Sequence, residues 1–169
     1  MFQTFYPSAD MDSTYLIDFE SLYEKGYRAV IFDIDNTLVP HGAPADERSI
    51  AFFDRLHAIG YSTMLLSNNK EPRVKMFHDA VQNDGYIYKA DKPSRKGYQE
   101  AMRRMGSDCS NTLFVGDQLF TDIWGANRTG LYTILVKPIH PKEEIQIVLK
   151  RYLEKIVLHF YYKKKEREN

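Results

Sequence analysis

Ala29-Val30-Ile31-Phe32-Asp33-Ile34-Asp35-Asn36-Thr37-Leu38 is the stretch on which the reading of this chain turns. Four apolar residues in succession suit a strand covered on both faces, as in a parallel sheet, better than one that alternates toward water. The run ends on two carboxylates two residues apart. They converge on one site if the backbone turns after the strand. Taken alone, such a pair reads as a solvated turn.

Working outward, the same kind of run recurs. Ser62-Thr63-Met64-Leu65-Leu66 ends at Ser67-Asn68, Tyr86-Ile87-Tyr88 at Lys89, Leu113-Phe114-Val115 at Gly116-Asp117, and Tyr132-Thr133-Ile134-Leu135-Val136 at Lys137-Pro138. Segments of helical period fill the gaps. Asp46 to Ile59 carries Ile50, Phe53 and Leu56 on one side, with Gly60 where a C-terminal cap belongs. Pro72 opens a second helix through Val74, Phe77 and Val81. A third begins near Pro93-Ser94, and a short fourth spans 122–129. This alternation predicts an α/β fold, a doubly wound five-stranded parallel sheet. In such sheets ligands bind beyond the carboxyl ends of the strands, where these polar residues fall.

With 169 residues the chain is expected to be a single domain over 1–169, its core at about 28–140. Lys+Arg and Asp+Glu both number 23, so no global field draws in nucleic acid, and no basic stripe interleaved with aromatics argues for it. The single Cys109 excludes an intramolecular disulfide and every multi-cysteine metal site. No run approaches the ~18 apolar residues of a membrane span, and the first residues lack the pattern of a secretory signal. The expected location is cytoplasmic.

The polar residues at the strand ends form a set. Asp33 and Asp35 follow one strand, Ser67 another, Lys92 a third, and Asp117 with Asp122 a fourth. Asp122 has an alternative reading as a helix cap. Clustered carboxylates favour a hard cation, Mg²⁺ foremost. A hydroxyl and an ammonium beside such a cluster suit phosphoryl chemistry, because they neutralise and hydrogen-bond the non-bridging oxygens.

In this order the motifs resemble those of haloacid dehalogenase-like (HAD) phosphatases, over roughly Val30 to Val136. Aspartate at both positions of the first motif fits the phosphatase branch, since dehalogenases lack the second. The resemblance implies Asp33 as nucleophile forming an aspartyl-phosphate, and Asp35 as general acid and then base. It implies that Ser67 and Lys92 hold the phosphoryl group, with Asn68 and Thr37 also binding substrate. Mg²⁺ would be held by Asp33, the Asp35 carbonyl and Asp117, with Asp122 in support.

Asp35 and Ser67 are 32 residues apart and Ser67 and Lys92 are 25 apart, each interval enough for one helix and one strand. Neither holds a cap domain. The finer resemblance is to capless subclass IIIA and, within it, to the YqeG-like family. It rests on Leu38-Val39-Pro40, Ser67-Asn68-Asn69 followed by Arg73-Val74, Lys89-Ala90-Asp91-Lys92-Pro93, Gly116-Asp117-Gln118-Leu119-Phe120-Thr121-Asp122 and Val136-Lys137-Pro138-Ile139. That family is similar to phosphatidylglycerophosphate phosphatases, which implies a lipid phosphate as substrate. The alternatives are a soluble phosphatase acting on a sugar phosphate or nucleotide, closed by a neighbouring subunit, and a non-catalytic HAD-fold binding module.

The C-terminal stretch, about 142–162, reads as an amphipathic helix followed by Lys163-Lys164-Lys165. Ile145, Val148, Leu149, Tyr152, Leu153, Ile156, Val157, Phe160 and Tyr161 recur along it. Residues 142–169 hold eight Lys+Arg and five Glu. The helix is expected to pack on the sheet, to lie peripherally on the inner face of an anionic membrane, or to do both along its length. Arg73 is open between a second substrate phosphate and a pairing with Glu71 or Asp79. His41 reads as a solvated loop residue near the leaving group.

Overall fold

A computed structural model describes residues 2–140 and 145–168, the side chains of 145–148 excepted. The expected start of the C-terminal helix at 142–144, and the side chains of Ile145 and Val148, lie outside the described residues.

Among the described residues six parallel strands form one sheet: β1 (Ala9–Met11), β2 (Ala29–Phe32), β3 (Ser62–Leu66), β4 (Gly85–Ile87), β5 (Thr112–Gly116) and β6 (Tyr132–Val136), in the order β1-β6-β5-β2-β3-β4. The five expected strands are all present. The sixth is β1, three residues pairing with β6 at Ala9↔Ile134 and Met11↔Val136. Ala-Asp-Met is too short and too mixed to show a strand pattern; only the open edge of β6 makes it one.

The helices are α1 (Phe19–Glu24), α2 (Glu47–Ile59), α3 (Glu71–Val81), α4 (Arg95–Met105), α5 (Trp124–Thr129) and α6 (Ile145–Glu168). Local chemistry sets their ends. Asp46 and Ser49 form a reciprocal capping box at the start of α2, and Gly60, at φ 114°, ends it with its N–H donating to Leu56 and His57 carbonyls. Alternate residues of each central strand feed two cores. Val30, Phe32, Leu65, Leu113, Val115 and Ile134 pack with Phe19, Phe52, Phe53 and Phe77 on one face. Ile31, Met64, Leu66, Phe114 and Leu135 pack with Tyr98, Ala101, Ala126 and Val157 on the other. Burial on both faces is why the strands read as unbroken apolar runs.

From β2 the chain winds outward to β4, then returns to build β5 and β6 on the other side of β2. The direction of winding therefore reverses between β2 and β5, which are neighbours in register Phe32↔Val115. A crevice opens at such a reversal, and Asp33 and Asp117 are the residues just past these two strands. Among the described residues no helix is long and apolar enough to cross a membrane.

Candidate active site

The Asp33–Asp35 turn is built by Asn36, which adopts a left-handed conformation at φ 62°, one that asparagine tolerates better than most residues. Its N–H donates to the Val39 carbonyl at 2.8 Å, while the Leu38 N–H returns to Ile34 at 2.9 Å. The segment after β6 secures the turn from outside, the Ile139 N–H donating to the Asn36 carbonyl at 3.1 Å. This folding separates the two aspartates into different environments.

Asp33 is buried against Lys92, whose Nζ donates to Asp33 Oδ1 and Asp122 Oδ1, both at 2.7 Å. Thr37 Oγ1 lies 3.1 Å from Asp33 Oδ2 and 3.2 Å from Asp117 Oδ1, so its single proton is shared between carboxylates of the two central strands. Asp33, Asp117 and Asp122, all buried, each place a carboxylate oxygen within 4.8 Å of the others. Burial, only partly offset by Lys92, pushes Asp33 up to about 6. Burial and the nearby Asp33 and Asp122 carboxylates push Asp117 well above the usual carboxylate range. For Lys92 burial works against the charge, but Asp122 and Asp33 outweigh it and hold the ammonium above its ordinary value.

Asp35 faces a different set of partners. Its Oδ1 accepts from the Gly42 N–H at 2.8 Å and Arg73 Nη2 at 2.9 Å, and its Oδ2 from Asn69 Nδ2 at 3.0 Å. Burial opposes its charge, yet the Gly42 N–H and the Arg73 guanidinium prevail and hold it below the usual carboxylate range. Arg73 therefore pairs with neither Glu71 nor Asp79. Its Nε and Nη1 are buried without a hydrogen-bond partner among the described residues.

Ser67 is buried at the end of β3, its Oγ accepting from the Asn69 N–H at 3.1 Å. Asn68 spans to the next loop: its Oδ1 accepts from the Lys92 N–H at 2.7 Å and its Nδ2 donates to the Lys92 carbonyl at 3.2 Å. That reciprocal pair locks the backbone that aims the Lys92 ammonium. Asn68 and Thr37 are thus both engaged with the protein itself.

Asp122 is not the cap of α5. It lies in a π-helical turn, Leu119–Ile123, and its Oδ2 accepts from the Gln118 N–H at 3.0 Å, while α5 starts only at Trp124 with no side-chain cap bond. The wider turn rotates the Asp122 side chain back toward Lys92, the kind of local irregularity frequent at functional sites. Gly116 permits this: a Cβ there would stand 2.7 Å from Asp122 Cβ and Oδ2.

Two further residues come from α6, and neither stands out in the sequence as a site residue. Arg151 donates through Nη1 to the Asp117 carbonyl at 2.6 Å and through Nη2 to Asp117 Oδ2. The buried Glu154 accepts from Arg151 Nη1 at 3.0 Å and from the Leu119 N–H at 2.9 Å, at the start of the π-helical turn. An i,i+3 charge pair on a terminal helix reads as solvated, and only the packing of α6 on the Asp117 loop reveals its role.

The donor set fits a divalent cation. Among the described residues Asp33, Asp117, Asp122 and Glu154 bring four carboxyl groups beside two cations, Lys92 and Arg151, so that ionising all four leaves negative charge in excess. Oxygen donors of this kind suit Mg²⁺, and an uncompensated buried charge is costly.

The sequence of residues 89–144 matches the HAD-hydrolase-like family profile. The chain is 36% identical to the Bacillus subtilis (strain 168) protein named "Probable phosphatase YqeG", over 91% of this chain and 90% of that one. It is 30% identical to phosphatidylglycerophosphate phosphatase 1, chloroplastic/mitochondrial, of Arabidopsis thaliana, covering 88% of this chain and about half, 48%, of the plant protein. The solved structure of a HAD superfamily (subfamily III A) hydrolase from Legionella pneumophila aligns with a TM-score of 0.53 at 18% identity, over 69% of each chain, and speaks for the fold alone. With its ordered motifs gathered at one crevice and one helix plus one strand in each interval where a cap could stand, the chain belongs to the YqeG family of HAD-like phosphatases.

Proposed function

We propose that this phosphatase hydrolyses phosphatidylglycerophosphate to phosphatidylglycerol through an aspartyl-phosphate on Asp33, with Mg²⁺ as cofactor. The observation that carries the chemistry is the division between the two aspartates of one turn. Asp33 sits between Lys92 and the acidic cluster, and Asp35 sits in a clamp of N–H donors 2.8–3.0 Å away.

A carboxylate oxygen of Asp33 attacks phosphorus, and the bond to the leaving oxygen breaks as Asp35 delivers a proton to it. Asp35 then takes a proton from water, whose oxygen attacks the aspartyl-phosphate, releasing phosphate and restoring Asp33. The low proton affinity that the clamp gives Asp35 suits the second half. The first half needs a proton on Asp35, and an anionic substrate group that engages Arg73 loosens the clamp and raises that affinity. Lys92 and the Ser67 hydroxyl bind the non-bridging oxygens. Asp33, Asp117, the Asp35 carbonyl and Asp122 would hold Mg²⁺, which supplies charge neutralisation at the phosphoryl oxygens and lets two anions approach.

The lipid substrate is supported by the named activity of the Arabidopsis relative and by the absence of a cap between Asp35 and Ser67 or between Ser67 and Lys92. Those intervals hold only α2 with β3, and α3 with β4. An open crevice admits a phosphate carried on a large or surface-bound molecule. The test is phosphate release from phosphatidylglycerophosphate in mixed micelles, with and without Mg²⁺. A soluble phosphomonoester runs in parallel, and Asp33→Asn serves as the blank. Mg²⁺-dependent release from the lipid supports the proposal, and turnover of the soluble ester alone keeps the phosphatase and removes the lipid.

A further inference from the structure

Helix α6 has two apolar sides. At about 100° per residue, Val157, Leu158 and Tyr161 share a side with Arg151 and Glu154. Val157 and Leu158 pack into the core, and the Tyr161 hydroxyl donates to Asp10 Oδ1 at 3.0 Å. Across the helix run Leu149, Tyr152, Leu153, Ile156 and Phe160, between 46% and 69% exposed. With Tyr162, α6 carries six of the ten large apolar side chains exposed among the described residues. A helix with apolar residues on both sides belongs in a core or at a boundary between phases; the body covers the inner side, and on the outer side Phe2 meets Phe160 with ring centroids 5.8 Å apart, leaving the rest of the row to solvent.

The outer side also carries a positive excess. Lys163, Lys164 and Arg167 continue the apolar row toward the end of the helix, and Lys150 and Lys155 flank it. Among the described residues, two outer carboxylates stand against these five cations, Glu166 and Glu168, set to either side of the row, with Lys164 Nζ 3.6 Å from Glu168. A second copy of the chain would bring the same positive excess toward itself. An anionic lipid surface meets it with opposite charge.

We propose that the outer face of α6 docks on the surface of an anionic phospholipid bilayer, with Leu149, Leu153, Ile156 and Phe160 entering the headgroup boundary and the lysines held at the phosphates. The inner face of the same helix grips the Asp117 loop, so docking brings the catalytic crevice beside the membrane. The inference deepens the lipid-phosphate reading and rests on it for the link between docking and turnover, but docking itself is measured without turnover.

The experiment is flotation of full-length Asp33→Asn protein with vesicles of phosphatidylcholine containing phosphatidylglycerol, and with vesicles of phosphatidylcholine alone. Three net basic residues imply about a hundredfold tighter binding to the anionic vesicles, and ~1 M salt should remove most of that difference. Combining Leu153→Glu, Ile156→Glu and Phe160→Glu should weaken binding at least about tenfold while leaving the far-ultraviolet circular dichroism unchanged. Equal or undetectable binding to both vesicle types overturns the proposal, as does a dimer in sedimentation that the triple variant turns into a monomer. A protein that hydrolyses the lipid in micelles but ignores bilayers overturns docking alone. One that floats but releases no phosphate from the lipid overturns the substrate reading alone.

Discussion

Arg151 and Asp117 meet across two elements 34 residues apart in sequence, the guanidinium taking both the backbone carbonyl, at 2.6 Å, and a carboxylate oxygen of the aspartate. The contact makes α6 part of the acidic centre. Through Glu154 the same helix also holds the first turn of the loop that carries Asp122.

Removing that guanidinium leaves Asp117 and Glu154 short of a positive charge. Arg151→Met should destabilise the metal-free protein by ~2–3 kcal/mol, below the full cost of breaking a buried pair because Arg151 keeps some contact with water. If Mg²⁺ binds the acidic cluster as proposed, it supplies charge at the same place, and the rise in melting temperature on adding it should be larger in the variant than in the parent. Thermal unfolding in EDTA and in Mg²⁺ reads both. An equal rise in the two proteins would separate Arg151 from the metal site.

Asp33 and Lys92 should differ sharply under mutation. Asp33→Asn should leave a folded protein without turnover, since uncatalysed phosphate-monoester hydrolysis demands up to ~10²¹-fold acceleration and the proposed aspartyl-phosphate needs the Asp33 carboxylate as nucleophile. Lys92→Met should fold poorly, losing ~3–5 kcal/mol, because it strands Asp33 and Asp122 as buried charges with no partner ammonium. Urea unfolding measures the second, and single-turnover phosphate release the first. A turning-over Asp33→Asn would move the nucleophile elsewhere.

Protons and metal should compete for the acidic centre. Burial raises Asp33 from 3.8 to about 6 and raises Asp117 as well, so the folded metal-free protein binds protons more readily than the unfolded chain. By linkage the stability these two groups contribute is present at low pH and, for Asp33, is lost as pH rises through about 6. Lowering the pH from 8 toward 5.5 in EDTA should therefore raise the melting temperature. With Mg²⁺ present the slope should reverse, since the cation binds the ionised carboxylates.

Arg73→Met should release Asp35 from its cationic partner, 2.9 Å away. The carboxyl then moves up toward the ordinary range, and the acidic limb of the pH–rate profile should move up with it if Asp35 is the base. A profile that keeps its acidic limb would assign that limb to another group.

Gly116→Ala tests the close approach of β5 to the π-helical turn. The new methyl would collide with Asp122 and displace the carboxylate from Lys92. An overpacking cost of ~1–3 kcal/mol is expected, together with weaker Mg²⁺-dependent stabilisation.

Most of the fold was legible because the central strands are buried on both faces, so Ala29–Phe32 and Tyr132–Val136 stand out without reference to their neighbours. Strand β1 was not, since Ala9–Met11 owes its conformation to pairing with β6 rather than to its own residues. Asp33, Ser67 and Asp117 could be read as a set because each directly follows a recognisable strand, and Lys92 lies in the loop after β4. Asp122 kept two readings until the π-helical turn showed that it starts no helix. Arg73 could be seen as a cation near the site, but its partner depended on how the Asn36 turn throws Asp35 toward α3. Arg151 and Glu154 follow from none of this, since their sequence neighbours describe only a surface helix.

The adjacency of β2 and β5 also bears on how the molecule comes into being. A growing chain that has reached residue 90 contains β2, β3 and β4 and the Asp33 turn, yet β2 lies at an edge with its hydrogen-bonding groups unpaired. Such an edge invites pairing with the wrong chain. Insertion of Thr112–Gly116 closes it, and the same event brings Asp117 to Asp33. The pairing that covers the edge of β2 is thus also the pairing that brings the two halves of the acidic centre together.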